Sequence, residues 1–256
     1  MPTDTSPLLD PPLTPAAALD DALRTQGFAI LGADGADGVE GLLGTSLDAL
    51  APWQAFWDRL PPDTFLRDGG RYRQRRHGCF VVEAGQLRAV PHRAHWQPVE
   101  YNALHGGIER LFEPLEPALV ADPLWSRWLL ALAARASALK GEQAWYVEAH
   151  PFRIDTARGI GRPTPEGAHR DGVDLVTVTL MGRTGVKGGE TRVFQARSPE
   201  GLRFTLTRPW TTMLMDDERV IHESTPIQPL DPAHPGHRDT LVLTFRAGGF
   251  QGPAAA

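Results

Sequence analysis

The chain has one cysteine, Cys79, among 256 residues. Neither an intrachain disulfide nor a cysteine-built zinc site can form, and nothing calls for an oxidising compartment. Also missing is any apolar run approaching the ~18 residues of a membrane span. The opening "MPTDTSPLLDPPLTP" has no basic region followed by an apolar stretch. No membrane partner is expected, and the cytoplasm is the expected location. An excess of basic charge is absent too. The 26 Lys and Arg against 31 Asp and Glu give a net charge of −5, the wrong sign for a surface that neutralises phosphates. A small molecule, not a nucleic acid, is the expected partner.

What is present suffices for one sizeable core. Hydrophobic residues make up 41% of the chain, and β-rich chains of this length commonly form one domain. Residues 1–256 are therefore read as one domain, with residues 1–15, rich in Pro, Thr and Asp, as a flexible arm. The sequence does not set the oligomeric state; a homodimer is compatible with it. "AAALDDALRTQGFAIL" predicts a short helix ended by Gly27, then a strand over Phe28 to Leu31. Val39 to Leu60 has a helical pattern closed by Pro61-Pro62. "RYRQRRHGCFVVEAGQLRAV" predicts two strands around Ala84-Gly85. Residues 108–140 form the longest helical stretch, interrupted by prolines at 114, 117 and 123.

After Gly141 the texture changes. Seven short β-branched or aromatic runs, "AWYVEAHPFRI", "VDLVTVTLM", "ETRVFQA", "LRFTLT", "TTMLMDD", "RVIHEST" and "DTLVLTFR", alternate with Gly, Pro and Asp signals. Such a series without intervening helices predicts a jelly roll. The expected fold is mainly β with flanking helices: a β core over about 142–250 and an N-terminal helical layer.

Within "EGAHRDGVDLVTV", His169 and Asp171 are two residues apart, and in a strand or its extension they face the same way. His222, in a later strand, is placed to join them. Two histidines and a carboxylate on one face of a metal, with positions left open, is the arrangement of non-haem Fe(II) oxygenases. Taken alone, the pair is equally a solvated turn in which Asp171 accepts backbone N–H bonds. Context adds Arg238 and Thr240, which share a strand face and can hold a distal carboxylate through a charge-assisted bond and a hydroxyl.

These segments, "YVEAHPFRI", "GRPTPEGAHRDGVDLVTVTLMGR", "KGGET", "MDDERVIHESTPIQPL" and "HRDTLVLTF", together resemble the bacterial 2-oxoglutarate/Fe(II) dioxygenases that include L-isoleucine 4-hydroxylase and related hydroxylases of free L-amino acids. The resemblance runs from about Tyr146 to Phe245, extends loosely upstream, and leaves the first forty residues uncovered. It implies a double-stranded β-helix (a jelly-roll, cupin-like core), iron on His169, Asp171 and His222, and the C5 carboxylate of 2-oxoglutarate on Arg238 with Thr240. It also implies Fe(II), 2-oxoglutarate and O2 as cofactor and cosubstrates, ascorbate as a supporting reductant, and release of succinate and CO2. Relatives that halogenate typically lack the carboxylate ligand, so Asp171 favours hydroxylation or another oxidation over halogenation.

Several residues are candidates for reading the substrate. Glu148 and His150 share a strand face; Glu148 is a partner either for a substrate ammonium or for an arginine of "RYRQRR". Arg75 and Arg76 can hold a carboxylate bidentately, the alternative being an exposed basic hairpin. Arg153 is a candidate for either acid if Pro151 introduces a bulge that turns it inward. Arg170, between the iron ligands, is a further candidate, although a regular strand points it away from them. His92, His95, His234 and His237 are read as loop residues without metal. The tryptophan pairs at 53/57 and 125/128 are read as core, and "GVKGGE" as a hairpin turn. Two other functions remain open: a biosynthetic oxygenase of a modified or carrier-bound amino acid, with desaturation or ring closure as outcomes, and a silent jelly-roll sensor of metal or a small acid.

Overall fold

A computed structural model describes residues 9–253 of the chain. Its strands are β1 (Phe28–Leu31), β2 (Arg73–Arg75), β3 (Gly78–Glu83), β4 (Gln86–Ala89), β5 (Trp145–Asp155), β6 (Leu175–Thr184), β7 (Val186–Gly188), β8 (Thr191–Gln195), β9 (Gly201–Phe204), β10 (Thr212–Asp216), β11 (Val220–Ser224), β12 (Ile227–Pro229) and β13 (His237–Ala247). The α-helices are α1 (Leu19–Gln26), α2 (Val39–Leu43), α3 (Gln54–Trp57), α4 (Pro117–Val120) and α5 (Pro123–Lys140). The large sheet runs β1-β10-β6-β13-β5-β3-β4, with β2 also on β5, and β11-β8-β9 and β12-β7 form two smaller sheets. The architecture is a double-stranded β-helix with helices packed on the outer face of its large sheet.

All seven runs expected after Gly141 are strands, and α1, β1 and the β3–β4 hairpin stand where the sequence put them. The hairpin turns on Ala84 (φ 49°) and Gly85 (φ 72°), two positive-φ residues whose twist matches the flanking strands. Helix α5 begins where Asp122 accepts the Leu124 N–H at 2.9 Å and Pro123 fills the first helical position, which needs no N–H donor.

Four expectations are corrected. Residues 108–116 are not helical, because Pro114 and Pro117 disfavour helical backbone in the residues before them; the segment instead pairs with a second loop through two His95–Arg110 backbone bonds of 3.0 Å. The stretch from Val39 to Leu60 is broken into α2, a 3₁₀ segment at Leu47–Trp53 and α3, α2 ending at Gly44 (φ 61°). Of the proposed arm, residues 1–8 lie outside the described residues, but Leu9 and Thr14 are tied down by backbone bonds from Thr205 N–H (2.8 Å) and to Ile30 C=O (2.7 Å). The β core also draws on residues before 142, since β1 lies beside β10 and both β2 and β3 pair with β5.

The register that positions the site is the pairing of β5 with β13, continuous from His237↔Asp155 to Ala247↔Trp145. Successive strand residues face opposite sides. Trp145, Val147 and Ala149 with Leu241, Leu243 and Phe245 thus join Trp125, Trp128 and Leu132 of α5 in the buried core. The alternate residues, Glu148, His150, Phe152 and Ile154 with Arg238, Thr240, Val242 and Thr244, line a cavity on the other face.

Candidate active site

His169 and His222 meet across two backbone hydrogen bonds of 3.0 Å, an isolated bridge between the loop before β6 and the strand β11. His169 Nδ1 donates to Gly167 C=O at 2.9 Å, which fixes the tautomer and leaves Nε2 its lone pair. His222 is buried, and that burial, together with neighbouring His169, pushes its pKa well below the ordinary value; the ring is neutral. Both Nε2 atoms approach the Asp171 carboxylate, at 3.9 Å for His169 and 3.8 Å for His222. These gaps are too long for hydrogen bonds. Three ligand atoms therefore converge within 4.8 Å of one another without bonding: two imidazoles and one carboxylate, a donor set that suits Fe(II) and leaves positions open.

Asp171 lies in a loop, not on a strand, and Asp217 holds that loop. Its Oδ1 accepts the Asp171 N–H at 3.0 Å, and its Oδ2 accepts those of Gly172 (2.7 Å) and Val173 (3.1 Å). Burial, reinforced by the Asp171 charge, pushes the Asp217 pKa up to about 6. Gly172 has φ 75°, and a Cβ there would meet the Tyr101 ring at 2.4 Å, so only glycine allows the turn. A second contact reaches the carboxylate itself. Gln97 Nε2 donates to Asp171 Oδ1 at 3.1 Å, while Gln97 Oε1 accepts from Arg110 Nη2 at 3.0 Å.

Arg238 and Thr240 line the same cavity, 3% and 4% exposed. Arg238 Nε is buried without an acceptor, and burial, with neighbouring Arg183, pulls its pKa down to about 10. A buried cation with an unused donor fits an acid not made by the chain. Val178, Met213 and Val242 supply apolar wall nearby.

The other wall carries Arg73, Arg75, Arg110, His95, Glu148 and His150. Glu148 accepts from His77 at 3.2 Å and from His95 at 3.0 Å, one histidine on each carboxylate oxygen. Burial alone would raise its pKa, but the two histidines hold it well below the usual range. Both oxygens are thus engaged, which corrects the expectation of a free carboxylate for a substrate ammonium. His150 lines the cavity and meets Arg75 Nη2 at 2.6 Å.

Three further expectations fail on geometry. Arg153 lies on the helix-side face: its Nε and Nη2 donate to Asp239 Oδ1 (2.8 Å) and Oδ2 (2.7 Å), because the β5–β13 register stays regular past Pro151. Arg76 donates to Pro114 C=O at 2.9 Å on the exposed surface. Arg170 donates to Asp217 C=O at 2.5 Å and is not among the residues that line the cavity. Sequence reasoning overlooked Gln97, Arg110, Glu166 and Asp217. Glu166 and Asp217 sit inside motifs already singled out; Gln97 and Arg110 lie in loops with no pattern to mark them.

Two histidines and an aspartate converging in a cavity of a double-stranded β-helix is the arrangement that non-haem Fe(II) oxygenases use. The profile of the 2OG-Fe dioxygenase family matches residues 54–244. The chain belongs to the 2OG-Fe dioxygenase family, which implies Fe(II), 2-oxoglutarate and O2. It is similar to the crystal structure of a bsmA homolog from Methylobium petroleophilum PM1, at 56% identity over 96% of this chain and 98% of that one, with a TM-score of 0.89. The fold alone is shared with IDO from Bacillus thuringiensis (18% identity, 91% and 95% of the two chains, TM-score 0.72). The same is true of the Fe(II)/(alpha)ketoglutarate-dependent dioxygenase TqaL (19%, 92% and 90%, TM-score 0.69). No curated protein matches the chain. Among the described residues, no helix is long and apolar enough to cross a membrane.

Proposed function

We propose that the protein hydroxylates an unactivated C–H bond of a free L-amino acid, consuming 2-oxoglutarate and O2 and releasing succinate and CO2. The observation that carries this reading is the composition of one cavity: a His169/Asp171/His222 set, Arg238 with Thr240, and a polar wall of opposite charges on the far side. The motif resemblance to free amino-acid hydroxylases supports the same substrate class.

In this reading His169, Asp171 and His222 hold Fe(II), which when bound supplies O2 activation coupled to decarboxylation of 2-oxoglutarate. Arg238 and Thr240 grip the C5 carboxylate of that acid through charge-assisted and hydroxyl hydrogen bonds. Val178, Met213 and Val242 keep water from the reacting centre. Gln97 and Asp217 keep Asp171 aimed.

The test is succinate formation by the iron-loaded protein with 2-oxoglutarate and O2 against the proteinogenic L-amino acids, with Asp171→Ala as control. Substrate-dependent succinate and a product heavier by one oxygen are expected, both lost in the variant. Background turnover that needs Asp171 but no free amino acid would move the reading to a modified or carrier-bound substrate. Complete silence would sink the enzyme reading in favour of a sensor.

A further inference from the structure

Three guanidiniums share one wall of the cavity: Arg73 and Arg75 from β2, and Arg110 from the loop before α4. They are 6%, 3% and 2% exposed. Each keeps a buried N–H with no acceptor, at Arg73 Nη2, Arg75 Nε and Arg110 Nε. A buried donor left unmade costs about 1–3 kcal/mol, more when it is charged, and three in one wall mark a missing partner.

The carboxylates of the chain do not supply it: Asp63 is bound to Arg73 at 2.7 Å, Glu148 is engaged by His77 and His95, and Glu166 reaches Arg110 only through space, without a hydrogen bond. Burial keeps His77, His95 and His150 uncharged near neutral pH. Two of the three carboxylates are thus already engaged within the chain, and none accepts the unused arginine N–H groups. The Arg75 guanidinium lies over the Phe112 ring at 3.8 Å and the Phe152 ring at 4.4 Å. Its faces being covered, it meets a ligand edge-on, the geometry that suits a planar carboxylate.

A free acceptor sits beside the His169/Asp171/His222 group. Glu166 Oε1 is 3.5 Å from His169 Nε2, and its side chain is 12% exposed. Its Oε2 is buried with no partner, and the residue lines the same cavity. One end of the cavity thus presents unused cationic donors and another an unpartnered carboxylate oxygen.

We propose that Arg75 and Arg110 bind the carboxylate of the prime substrate and Glu166 binds its ammonium, so that only an amino acid with both groups unblocked is held. This rests on the oxygenase reading above and narrows it: an amino acid carried as a thioester or amide presents no carboxylate to the arginines.

The test is calorimetric binding to the full-length protein loaded anaerobically with Fe(II) and 2-oxoglutarate. Each proteinogenic L-amino acid is titrated, then the primary amide and the N-acetyl derivative of the tightest binder. Both derivatives should bind roughly ten- to a hundredfold more weakly, the loss of one buried charge-assisted bond. Arg75→Gln should weaken the free acid by a similar factor and leave the amide unchanged, while Glu166→Gln should spare the deaminated analogue. The Kd of 2-oxoglutarate should stay unchanged in Arg75→Gln, since Arg75 has no contact with the Gln97–Asp171 pair. An amide that binds wild-type protein as tightly as its acid overturns the proposal, as does loss of 2-oxoglutarate binding in a folded Arg75→Gln. Absence of binding by every free amino acid, with iron and 2-oxoglutarate bound, overturns it while leaving the oxygenase reading intact. Failure of iron or 2-oxoglutarate to bind wild-type protein removes that reading, and the proposal with it.

Discussion

Asp217 grips the backbone of Asp171: one carboxylate accepts three consecutive N–H groups, from residues 171 to 173, at 2.7 to 3.1 Å. The side chain that would bind iron therefore stands on a loop whose shape depends on a second acid. Removing such a support typically costs ten- to a hundredfold in metal affinity, to within about an order of magnitude. Asp217→Ala is expected to weaken Fe(II) binding by roughly that factor, with Asp217→Asn recovering part of it through its remaining acceptor. Metal titration measures the loss. An unchanged affinity in a folded Asp217→Ala protein would show that the loop holds itself.

Arg153 and Arg238 are separated by sheet face, and their variants should diverge. Arg238→Met is expected to raise the KM for 2-oxoglutarate at least tenfold, by about 1.4 kcal/mol or more of lost binding, with the fold retained. Arg153→Met strands buried Asp239 without its main cation, at a cost of about 3 kcal/mol, and should leave that KM unchanged. Thermal melts and cosubstrate kinetics on both variants check the contrast.

Acid should destabilise the protein through the His95–Glu148–His77 group. Burial lowers His95 from 6.5 to about 4. Between those values the unfolded chain takes up a proton that the folded chain refuses, so stability falls as pH drops through the window. The lowered Glu148 carboxyl acts in the same direction, its contribution being lost as pH falls further. Melting temperature should decline from neutral pH towards about pH 5, and less steeply in His95→Gln. Parallel profiles for the two proteins would contradict this account.

Chelation of the metal should stop 2-oxoglutarate decarboxylation, and added Fe(II) should restore it. Because a ligand that binds only the folded state stabilises by mass action, metal should also raise the melting temperature of wild-type protein. No such rise is expected in Asp171→Ala, where one of the three converging ligands is gone.

The β core was legible because its strands carry period-two patterns between turn residues, and those patterns survive any choice of partner. The convergence of His169, Asp171 and His222, and the placing of Arg238 and Thr240 in the same cavity, were legible because each residue lies in or beside such a strand. The same logic, with the regular register at Pro151, explains why Arg153 faces the helices. Segment 108–116 misled because its apolar spacing is helical while Pro114 and Pro117 are not. Arg110 and Gln97 were invisible for a different reason: their neighbours are set by two loops meeting at the His95–Arg110 bridge, a contact that no local pattern encodes.

The alternation along β5 and β13 divides labour between packing and the cavity. Residues that hold the helical layer occupy one set of positions, Trp145, Val147, Ala149, Leu241, Leu243 and Phe245; those that line the cavity occupy the positions between. A substitution at Ile154 or Val242 would therefore reshape the cavity while leaving the face on which the helices pack untouched.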